Sequence, residues 1–388
     1  LGGGTVTGSI TNNTISGFSY GNSNTVASSI LLSGASGTTV QGNTVTGTGG
    51  TGGYGLDADV SDNLTISDND FSNLEEGVVL YSGNGINITG GSISGSTVAG
   101  LDADPSVTGL SVSGVSFSNN ALQFLGSSND AASIFANNAF DRAVTVVDGA
   151  NIYSLIQDGI NASSAGDPVE VASGTYNEAL DISHPIDIEG AGVGRTIIQP
   201  TTLLSTGVGH KYDSNVQTAV YVHDTSGVTL NGLTIDANNL GANAVVFWNN
   251  ASGTISNSLI ENPMAFSGAQ TGQGLAVDAT SGNTSDLTVS NVTFQNWNKN
   301  AIDAVTGDGS GANGGDIVLN VDHSTFTGAG DTGTIAQNGI LLWEQGGGSV
   351  SATVDSSAFS DLSYNDPANA TATGVLVYGS PNGSLTVS

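Results

Sequence analysis

Residues 55–59 of this 388-residue chain have the sequence Gly-Leu-Asp-Ala-Asp, and residues 100–104 repeat the same five residues. Their common pattern, a small residue followed by an apolar-x-apolar triplet, recurs throughout the chain. In the first half the intervals are 22, 23 and 21 residues, and the triplets begin at Leu56, Val78, Leu101 and Leu122. In the second half the intervals are 25, 30, 27, 38 and 35 residues, and the triplets begin at Val220, Val245, Leu275, Ile302, Ile340 and Val375.

A second strand signal follows the triplets, with apolar residues at alternate positions, as in Leu64-Thr65-Ile66 and Val228-Thr229-Leu230. Gly, Asn, Ser and Asp fill the segments between strands and tolerate the left-handed backbone conformation of tight turns. Short strands at such regular intervals are typical of a parallel β-helix, in which each coil covers the open edge of its neighbour. A β-sandwich is the alternative, but its hairpins would give shorter and less constant spacings. We therefore predict an all-β fold, a parallel β-helix.

One segment interrupts this pattern after residue 150. A helical spacing of apolar residues appears at Ile152, Leu155, Ile156 and Ile160. The sequence Ala165-Gly166-Asp167-Pro168-Val169-Glu170-Val171 follows, and then Gly174-Thr175-Tyr176-Asn177-Glu178. This succession resembles the opening module of many proteins of the pectin-lyase-like, right-handed parallel β-helix superfamily, where an amphipathic helix caps the first coil. The resemblance implies a right-handed solenoid but no particular activity, because lyases, hydrolases, esterases and non-enzymatic surface proteins share that opening.

We expect two β-helices in tandem. The first spans residues 1–136, a linker and helix-capped opening module spans residues 137–200, and the second spans residues 201–388. Tandem β-helices with a short α-helical module between them resemble parts of very large bacterial proteins that are secreted or displayed on the surface. Both ends of the sequence already follow the coil pattern, and open coils expose unpaired edge groups. We therefore expect further repeats of the same chain, or self-association, at these ends.

The composition is strongly acidic, with 34 Asp and Glu residues, 4 Lys and Arg residues, and a formal net charge of −30. Such a charge repels phosphate backbones and anionic lipids, so we expect no nucleic-acid partner. No apolar stretch approaches the roughly 18 residues of a membrane span, so we expect no membrane insertion. Cysteine is absent, which excludes disulfides, thiolate zinc sites and cysteine nucleophiles.

Aromatic and acidic residues occupy the outward positions of the second β-helix. In each triplet the second residue, and the residue after the third, are expected to point away from the core. Longer coils carry their extra residues at 263–273, 327–337 and 363–373, where they would wall a groove over these positions. Aromatic rings stack on the apolar faces of sugars, so a polysaccharide is the expected ligand; the alternative is that the rings stack only for packing. The candidate ligand-binding residues are Tyr221, His223, Trp248, Trp343, Glu344 and Tyr378.

Asp278 and Asp303 lie between the two tryptophans and are candidates for a catalytic pair. Adjacent coils are about 4.8 Å apart and a two-residue offset adds about 6.6 Å, which places the Cα atoms ~8 Å apart. Glycosidases separate their two carboxylates by about 5 to 9 Å, so this spacing allows hydrolysis of a neutral glycan. A lyase fits less well, because lyases of the resembling superfamily use a basic residue and Lys299 is the only one near this groove.

Calcium is the metal for which the sequence offers ligands, because Ca²⁺ prefers oxygen donors. Leu-Asp-Ala-Asp occurs twice, and residues 306–316 are rich in glycine and aspartate. Bound Ca²⁺ would also relieve the self-repulsion of so negative a chain. The alternative is that these acids are simply solvated. The candidate ligands are Asp57, Asp59, Asp102, Asp104, Asp308 and Asp316.

These observations favour a non-enzymatic function. We expect a structural or adhesive repeat segment of a large secreted bacterial surface or extracellular-matrix protein, filament-forming, and able to bind glycan through the groove. The extracellular location follows from the resemblance and the composition together. The alternative is a polysaccharide hydrolase that uses Asp278 and Asp303, and a third hypothesis is an assembly protein that associates with itself.

Overall fold

The computed structural model describes residues 6–18, 27–49, 53–207, 216–264, 271–307, 313–330, 336–362, 372–379 and 384–387. The chain divides into two compact units, Leu1–Ala162 and Ser163–Ser388, and each is a parallel β-helix, as predicted. The division falls inside the segment that was expected to form the opening module. Asp308 and most of the extra residues predicted to wall the groove lie outside the described residues.

The first unit consists of coils of three short strands. In chain order they are β1 (Ser9–Thr11), β2 (Thr14–Phe18), β3 (Ala27–Ser33), β4 (Thr39–Gln41), β5 (Thr44–Gly47), β6 (Gly53–Asp59), β7 (Thr65–Ser67), β8 (Asp70–Ser72), β9 (Glu76–Leu80), β10 (Asn87–Thr89), β11 (Ser92–Ser94), β12 (Ala99–Ala103), β13 (Ser111–Ser113), β14 (Ser116–Ser118), β15 (Leu122–Leu125), β16 (Ala139–Phe140), β17 (Val144–Val146) and β18 (Asn151–Tyr153). Equivalent strands of successive coils pair in parallel. Sheet 1 contains β1, β4, β7, β10 and β13; sheet 2 contains β2, β5, β8, β11, β14 and β16; sheet 3 contains β3, β6, β9, β12 and β15.

Stacked apolar residues form the core of this unit. Ile66 pairs in register with Val40 on one side and Ile88 on the other, and all three are buried. Their neighbours along each strand are polar and more exposed, because successive side chains of a strand point to opposite faces. The period-two alternation in the sequence therefore corresponds to one inward and one outward face.

Two helices lie near the C-terminal end of the first unit: α1 (Ser128–Asn137) and α2 (Ile156–Ala162). Ser127 caps α1 by accepting a hydrogen bond from the backbone N–H of Asp130 at 3.3 Å. The sequence indicated only the second helix, and the predicted apolar face is shorter than expected. Ile156 and Ile160 are buried in α2, but Ile152 belongs to β18. No described helix has the length and apolar character needed to cross a membrane.

The parallel stacking of sheet 3 ends where these helices begin. β15 pairs antiparallel with β18, and β18 pairs antiparallel with β17. The Ser154 hydroxyl donates to the carbonyl of Asn120 at 2.6 Å, which ties the segment before α2 to the last coil. This arrangement covers the edge of β15, which would otherwise expose unpaired backbone groups.

The second unit repeats the three-strand coil. In chain order its strands are β19 (Pro168–Val171), β20 (Gly174–Tyr176), β21 (Leu180–Ile182), β22 (Ile186–Gly190), β23 (Thr196–Ile198), β24 (Leu204–Ser205), β25 (Gln217–His223), β26 (Val228–Asn231), β27 (Thr234–Asp236), β28 (Asn243–Trp248), β29 (Gly253–Ser256), β30 (Leu259–Glu261), β31 (Leu275–Ala279), β32 (Thr284–Ser290), β33 (Thr293–Gln295), β34 (Asn300–Thr306), β35 (Asp316–Asp322), β36 (Thr325–Gly330), β37 (Asn338–Trp343), β38 (Ser349–Asp355), β39 (Ala358–Leu362), β40 (Thr373–Tyr378) and β41 (Ser384–Val387). Sheet 4 contains β19, β22, β26, β29, β32, β35, β38 and β41; sheet 5 contains β20, β23, β27, β30, β33, β36 and β39; sheet 6 contains β21, β25, β28, β31, β34, β37 and β40.

Asparagines form the turns of this unit, as the sequence predicts. Asn257 and Asn291 have backbone φ angles of 48° and 55°, in the left-handed region. Asn291 donates from Nδ2 to Oδ1 of Asn257 at 2.7 Å, and Asn257 donates likewise to Asn231 at 2.8 Å. The same residue type therefore supplies both the turn conformation and a hydrogen bond between coils.

Candidate functional site

Sheet 6 carries the predicted ladder of aromatic and acidic residues in the predicted register. His223 pairs with Trp248, and Trp248 pairs with Asp278. The next pairs in this column are Asp278 with Val305, Val305 with Trp343, and Trp343 with Tyr378. The sequence pattern therefore placed these residues on equivalent positions of successive coils.

The middle of this ladder is buried, which differs from the expected open groove. Trp248 and Tyr221 pack with Val216, Val246 and Ala276 in a second apolar cluster outside the coil core. The partly buried Leu204 packs against the same cluster, and its strand β24 pairs antiparallel with β25. The rings of Tyr221 and Trp248 therefore pack against other side chains, which agrees with the alternative that these rings stack only for packing.

Asp278 and Asp303 are offset by two residues on adjacent strands, as expected, because Ala276 pairs with Asp303. Their exposed fractions are only 1 % and 0 %. The side-chain amide of Gln273 donates to Asp303 Oδ2 at 3.1 Å. These two carboxylates therefore lie inside a packed layer, where a polysaccharide chain does not reach them without a rearrangement.

A lysine lies close to this buried layer. Burial lowers the pKa of Lys299, and the negative charge of Asp303 opposes that effect. Lys299 Nζ donates to the carbonyl of Ala336 at 3.2 Å. Burial also raises the pKa of Tyr221 to about 12, helped by nearby carboxylates that include Asp278, so its hydroxyl stays protonated.

At the first end of the ladder, His223 is held by two carboxylates. Its Nδ1 lies 2.9 Å from Asp224 and its Nε2 lies 2.9 Å from Asp181. The imidazole also stacks on Tyr221, with ring centroids 4.5 Å apart. Both ring nitrogens already have partners, so a ligand would have to displace a carboxylate to bond with them.

The other end of the ladder reaches the surface. Tyr378 is 48 % exposed, and its ring centroid lies 5.2 Å from that of Trp343 with a tilt of 49°. Glu344, expected to face the same ligand, is instead fully buried, and its Oε1 accepts the backbone N–H of Gly347 at 3.2 Å. Of the six predicted ligand-binding residues, Trp343 and Tyr378 therefore form the aromatic surface that stays accessible.

The predicted calcium ligands are dispersed. Asp57 and Asp102 both pair with Val79, so they belong to coils separated by one intervening strand. Among the described residues, no three His, Asp or Glu side chains are grouped so as to hold a metal ion. Calcium binding stays a prediction. Four of the described acids instead accept hydrogen bonds from serines, and the pairs are Asp57 with Ser28, Asp59 with Ser82, Asp104 with Ser106 and Asp316 with Ser349.

The structure adds a cluster on sheet 3 that sequence reasoning missed. Tyr54 and Glu76 are paired residues on neighbouring strands. Interaction with the Tyr54 hydroxyl lowers the pKa of Glu76, while burial, followed by the interaction with Tyr81, raises the pKa of Tyr54. Glu76 is 7 % exposed, and burial raises its pKa to about 7, with further contributions from the charges of Asp102 and Glu75. The first unit therefore contains a carboxyl group that titrates near neutral pH.

A weak signal for this cluster exists in the sequence. Tyr54 and Glu76 both immediately precede the small residue that opens a triplet, Gly55 and Gly77. The triplet pattern assigns outward positions only after that small residue, so it makes no prediction for these two residues. Their position directly before the triplet, with polar residues there in two successive coils, is the signal that could have identified them.

One comparison with known families agrees with the fold of the first unit. Residues 2–140 match the family model described as "Right handed beta helix region". No curated protein matches the sequence. Among solved structures, the chain is similar to a pectin methylesterase from Yersinia enterocolitica, at 9 % identity over 60 % of this chain and 94 % of that chain, with a TM-score of 0.29.

It is also similar to the catalytic domain of a GH87 α-1,3-glucanase in complex with tetrasaccharides, at 10 % identity and a TM-score of 0.22. That match covers 95 % of this chain and 48 % of the other, so the chain spans about half the length of the glucanase structure. Neither structure bears on the activity of this chain. The parallel pairing of successive coils identifies each unit as a parallel β-helix, and residues 2–140 match the model of a right-handed one.

Proposed function

We propose that this chain is a glycan-binding segment of a large secreted bacterial surface or extracellular-matrix protein, in which the solenoid provides length and stiffness. The observation that carries the proposal is the accessible aromatic pair Trp343 and Tyr378 at the end of a buried ladder. Two neighbouring rings offer an apolar surface on which sugar rings stack. The net charge of −30 favours a neutral or cationic glycan over a polyuronate.

The in-register stacking supports the structural part of the proposal. From β19–β21 to β38–β40, successive coils of the second unit pair along all three sheets, so a load on one coil is carried by many parallel backbone hydrogen bonds. Repeat architectures of this kind gain length by adding coils, each of which contacts only its neighbours. Such a solenoid suits a protein that extends away from a cell or joins a filament.

Burial of the two candidate catalytic acids favours binding over hydrolysis. A general acid must reach the glycosidic oxygen, and its partner must reach the anomeric carbon or a water beside it. Asp278 and Asp303 expose 1 % and 0 % of their surface, so neither is placed to make such a contact. Hydrolysis by this pair remains the competing hypothesis that the experiment must exclude.

The test incubates the full chain with a panel of neutral, acidic and cationic polysaccharides, with Ca²⁺ or with a chelator. Retained protein and newly released reducing ends are measured together. Tyr378→Ala and Trp343→Ala should each weaken retention by about threefold to tenfold. Leu240→Ala, which removes an exposed apolar side chain elsewhere in the same unit, is the matched control and should leave retention unchanged.

Two results would contradict the proposal. Released sugar ends that disappear in Asp278→Asn or Asp303→Asn would make the chain a glycosidase. Absence of both retention and release across the panel would leave a scaffold without glycan affinity. Dependence of retention on Ca²⁺ would add support to the separate prediction of a structural calcium ion.

A further inference from the structure

A pocket of about 280 Å³ opens on the outer face of sheet 3 in the first unit. Tyr81 stands at its edge and is 46 % exposed. Asp102 and Asp104 contribute carboxylates, and Val79 and Leu125 contribute apolar walls. Ligand pockets usually begin at about 300 Å³, so this one fits a small ligand of single-ring size.

The part of the chain that forms the pocket is negatively charged and has no basic residues to neutralise it. Residues 1–141 contain no lysine, arginine or histidine. Burial and the charge of Asp104 raise the pKa of Asp102, while burial and the charge of Asp102 raise that of Glu76. These acids therefore repel one another, and a cation bound among them would relieve that repulsion.

The residues that line the pocket favour an organic cation over a metal ion. Ca²⁺ takes about six to eight oxygen ligands, whereas Asp102 and Asp104 are the carboxylates that line this pocket. Asp104 Oδ1 already accepts the backbone N–H of Ser106 at 2.8 Å. An aromatic ring such as that of Tyr81 stabilises an ammonium group over its face, and the apolar walls suit a carbon skeleton.

We propose that this pocket binds a protonated primary amine carried on a pyranose ring, that is, an amino-sugar unit of a cationic polysaccharide. The ammonium group pairs with Asp102, and the ring packs between Tyr81 and Leu125. A pyranose has two apolar faces for these side chains and hydroxyls that donate to Asp104. The linear side chain of a lysine on a protein partner offers no such hydroxyls. The site lies in the other unit from Trp343 and Tyr378 and does not depend on them.

The experiment titrates the full chain with D-glucosamine, N-acetyl-D-glucosamine, D-glucose and D-glucuronate, and follows binding by calorimetry and by chemical shifts. N-acetylation keeps the ring and removes the charge, so it isolates the ammonium group. D-Glucosamine should bind at least about tenfold more tightly than the other three, because it alone carries an ammonium group that can form a charge-assisted hydrogen bond with Asp102. Acetyl-lysine amide with a free side-chain amine, and CaCl₂ alone, are the competing probes.

Variants assign the binding to the pocket. Asp102→Asn should reduce glucosamine affinity by about tenfold or more, and Tyr81→Ala should reduce it while Tyr81→Phe, which keeps the ring, should retain most of it. Asp286→Asn, an exposed acid of the second unit, should have no effect, and urea unfolding of every variant shows that it folds. Tyr378→Ala should leave this binding intact, which separates it from the surface proposed above.

Four results would overturn the assignment. They are equal binding of N-acetyl-D-glucosamine, undiminished binding to a folded Asp102→Asn variant, tighter binding of the lysine probe than of glucosamine, and absence of glucosamine binding altogether. Ca²⁺ that shifts the Asp102 and Tyr81 resonances and displaces glucosamine at equal concentration would identify a metal site instead. Selective glucosamine binding that is lost in Asp102→Asn would establish the pocket.

Discussion

The side-chain amide of Asn43 donates to Oδ1 of Asn69 on the next coil at 2.9 Å, and both residues are buried. The same oxygen of Asn69 accepts the backbone N–H of Asn43 at 3.0 Å. Asn43 in turn accepts two hydrogen bonds from Asn13 and donates to the carbonyl of Ile10 at 2.8 Å. This asparagine ladder satisfies polar groups at a buried corner of three successive coils.

Replacing Asn43 should therefore destabilise the first unit strongly. Asn43→Leu keeps the backbone N–H that donates to Asn69, but it removes the side-chain donor to that buried oxygen and the acceptor of both Asn13 N–H groups. A buried group that loses a hydrogen-bond partner costs about 1–3 kcal/mol. We expect a loss of about 2–4 kcal/mol in the free energy of unfolding, measured by urea denaturation. Asn87→Ala, at an exposed strand position, should change it by less than about 0.5 kcal/mol. Equal effects of the two substitutions would contradict the role of the ladder.

A stack of phenylalanines should be equally important in the second unit. Phe326 lies between Phe294 and Phe359, with ring centroids 5.0 Å and 4.6 Å apart, and it is fully buried. Phe326→Ala removes both contacts and leaves a cavity, so we expect a loss of about 3–5 kcal/mol. Thermal unfolding checks this, with Val193→Ala at an exposed position as the control. A loss below about 1 kcal/mol would mean that the coils collapse around the missing ring.

The residue before each triplet is small for a steric reason. A substitution that adds one methyl group tests this explanation. A Cβ atom at Gly55 would lie 2.4 Å from the carbonyl oxygen of Gly77 and 2.5 Å from the Phe71 ring. Gly55→Ala should therefore push two coils apart and cost about 1–3 kcal/mol. Gly8→Ala, where nothing lies within 4 Å, is the matched control, and we expect it to be neutral or slightly stabilising. Both midpoints come from one chemical denaturation series, and an unshifted Gly55→Ala midpoint would refute the steric explanation.

The raised pKa of Glu76 should make the first unit less stable as the pH rises. Its pKa is about 7 in the folded chain against 4.5 for an ordinary glutamate. Between pH 4.5 and about pH 7, the folded chain keeps a proton on Glu76 that the unfolded chain has lost. The free energy of unfolding is therefore highest below pH 4.5 and decreases as the pH rises to about 7. Glu76→Gln stays neutral and should exceed the native chain in stability above about pH 7, by about 1–2 kcal/mol after allowance for solvent screening.

Urea midpoints at about pH 5 and about pH 8 measure this effect. The difference between the two pH values should shrink in Glu76→Gln and persist in Asp286→Asn, an exposed acid of the second unit. If the Glu76→Gln midpoint falls in parallel with that of the native chain, the pH dependence has another origin.

Much of the fold followed from residue spacing. The intervals between triplets fixed the length of a coil, and each strand pairs with its equivalent one coil later, because a parallel solenoid repeats its register at every turn. This is why the column from Trp248 through Asp278 to Trp343 was predictable. Helix α1 was not predicted, although its buried residues Ala131 and Ile134 have the three-residue spacing of one helical face.

The sequence by itself determined the coil length, the inward and outward alternation, and which residues share a column, because these depend on local periodicity. Only the tertiary structure decided which outward residues meet solvent. Leu204 and Val216 lie outside the periodic pattern, yet they pack over Tyr221 and Trp248 and convert an expected groove into an apolar cluster. Glu76 likewise acquires its raised pKa mainly from burial and from Asp102 on the next coil, with a smaller contribution from its sequence neighbour Glu75. Burial and charge at a site depend on what folds over it from a distance along the chain, and no local pattern contains that information.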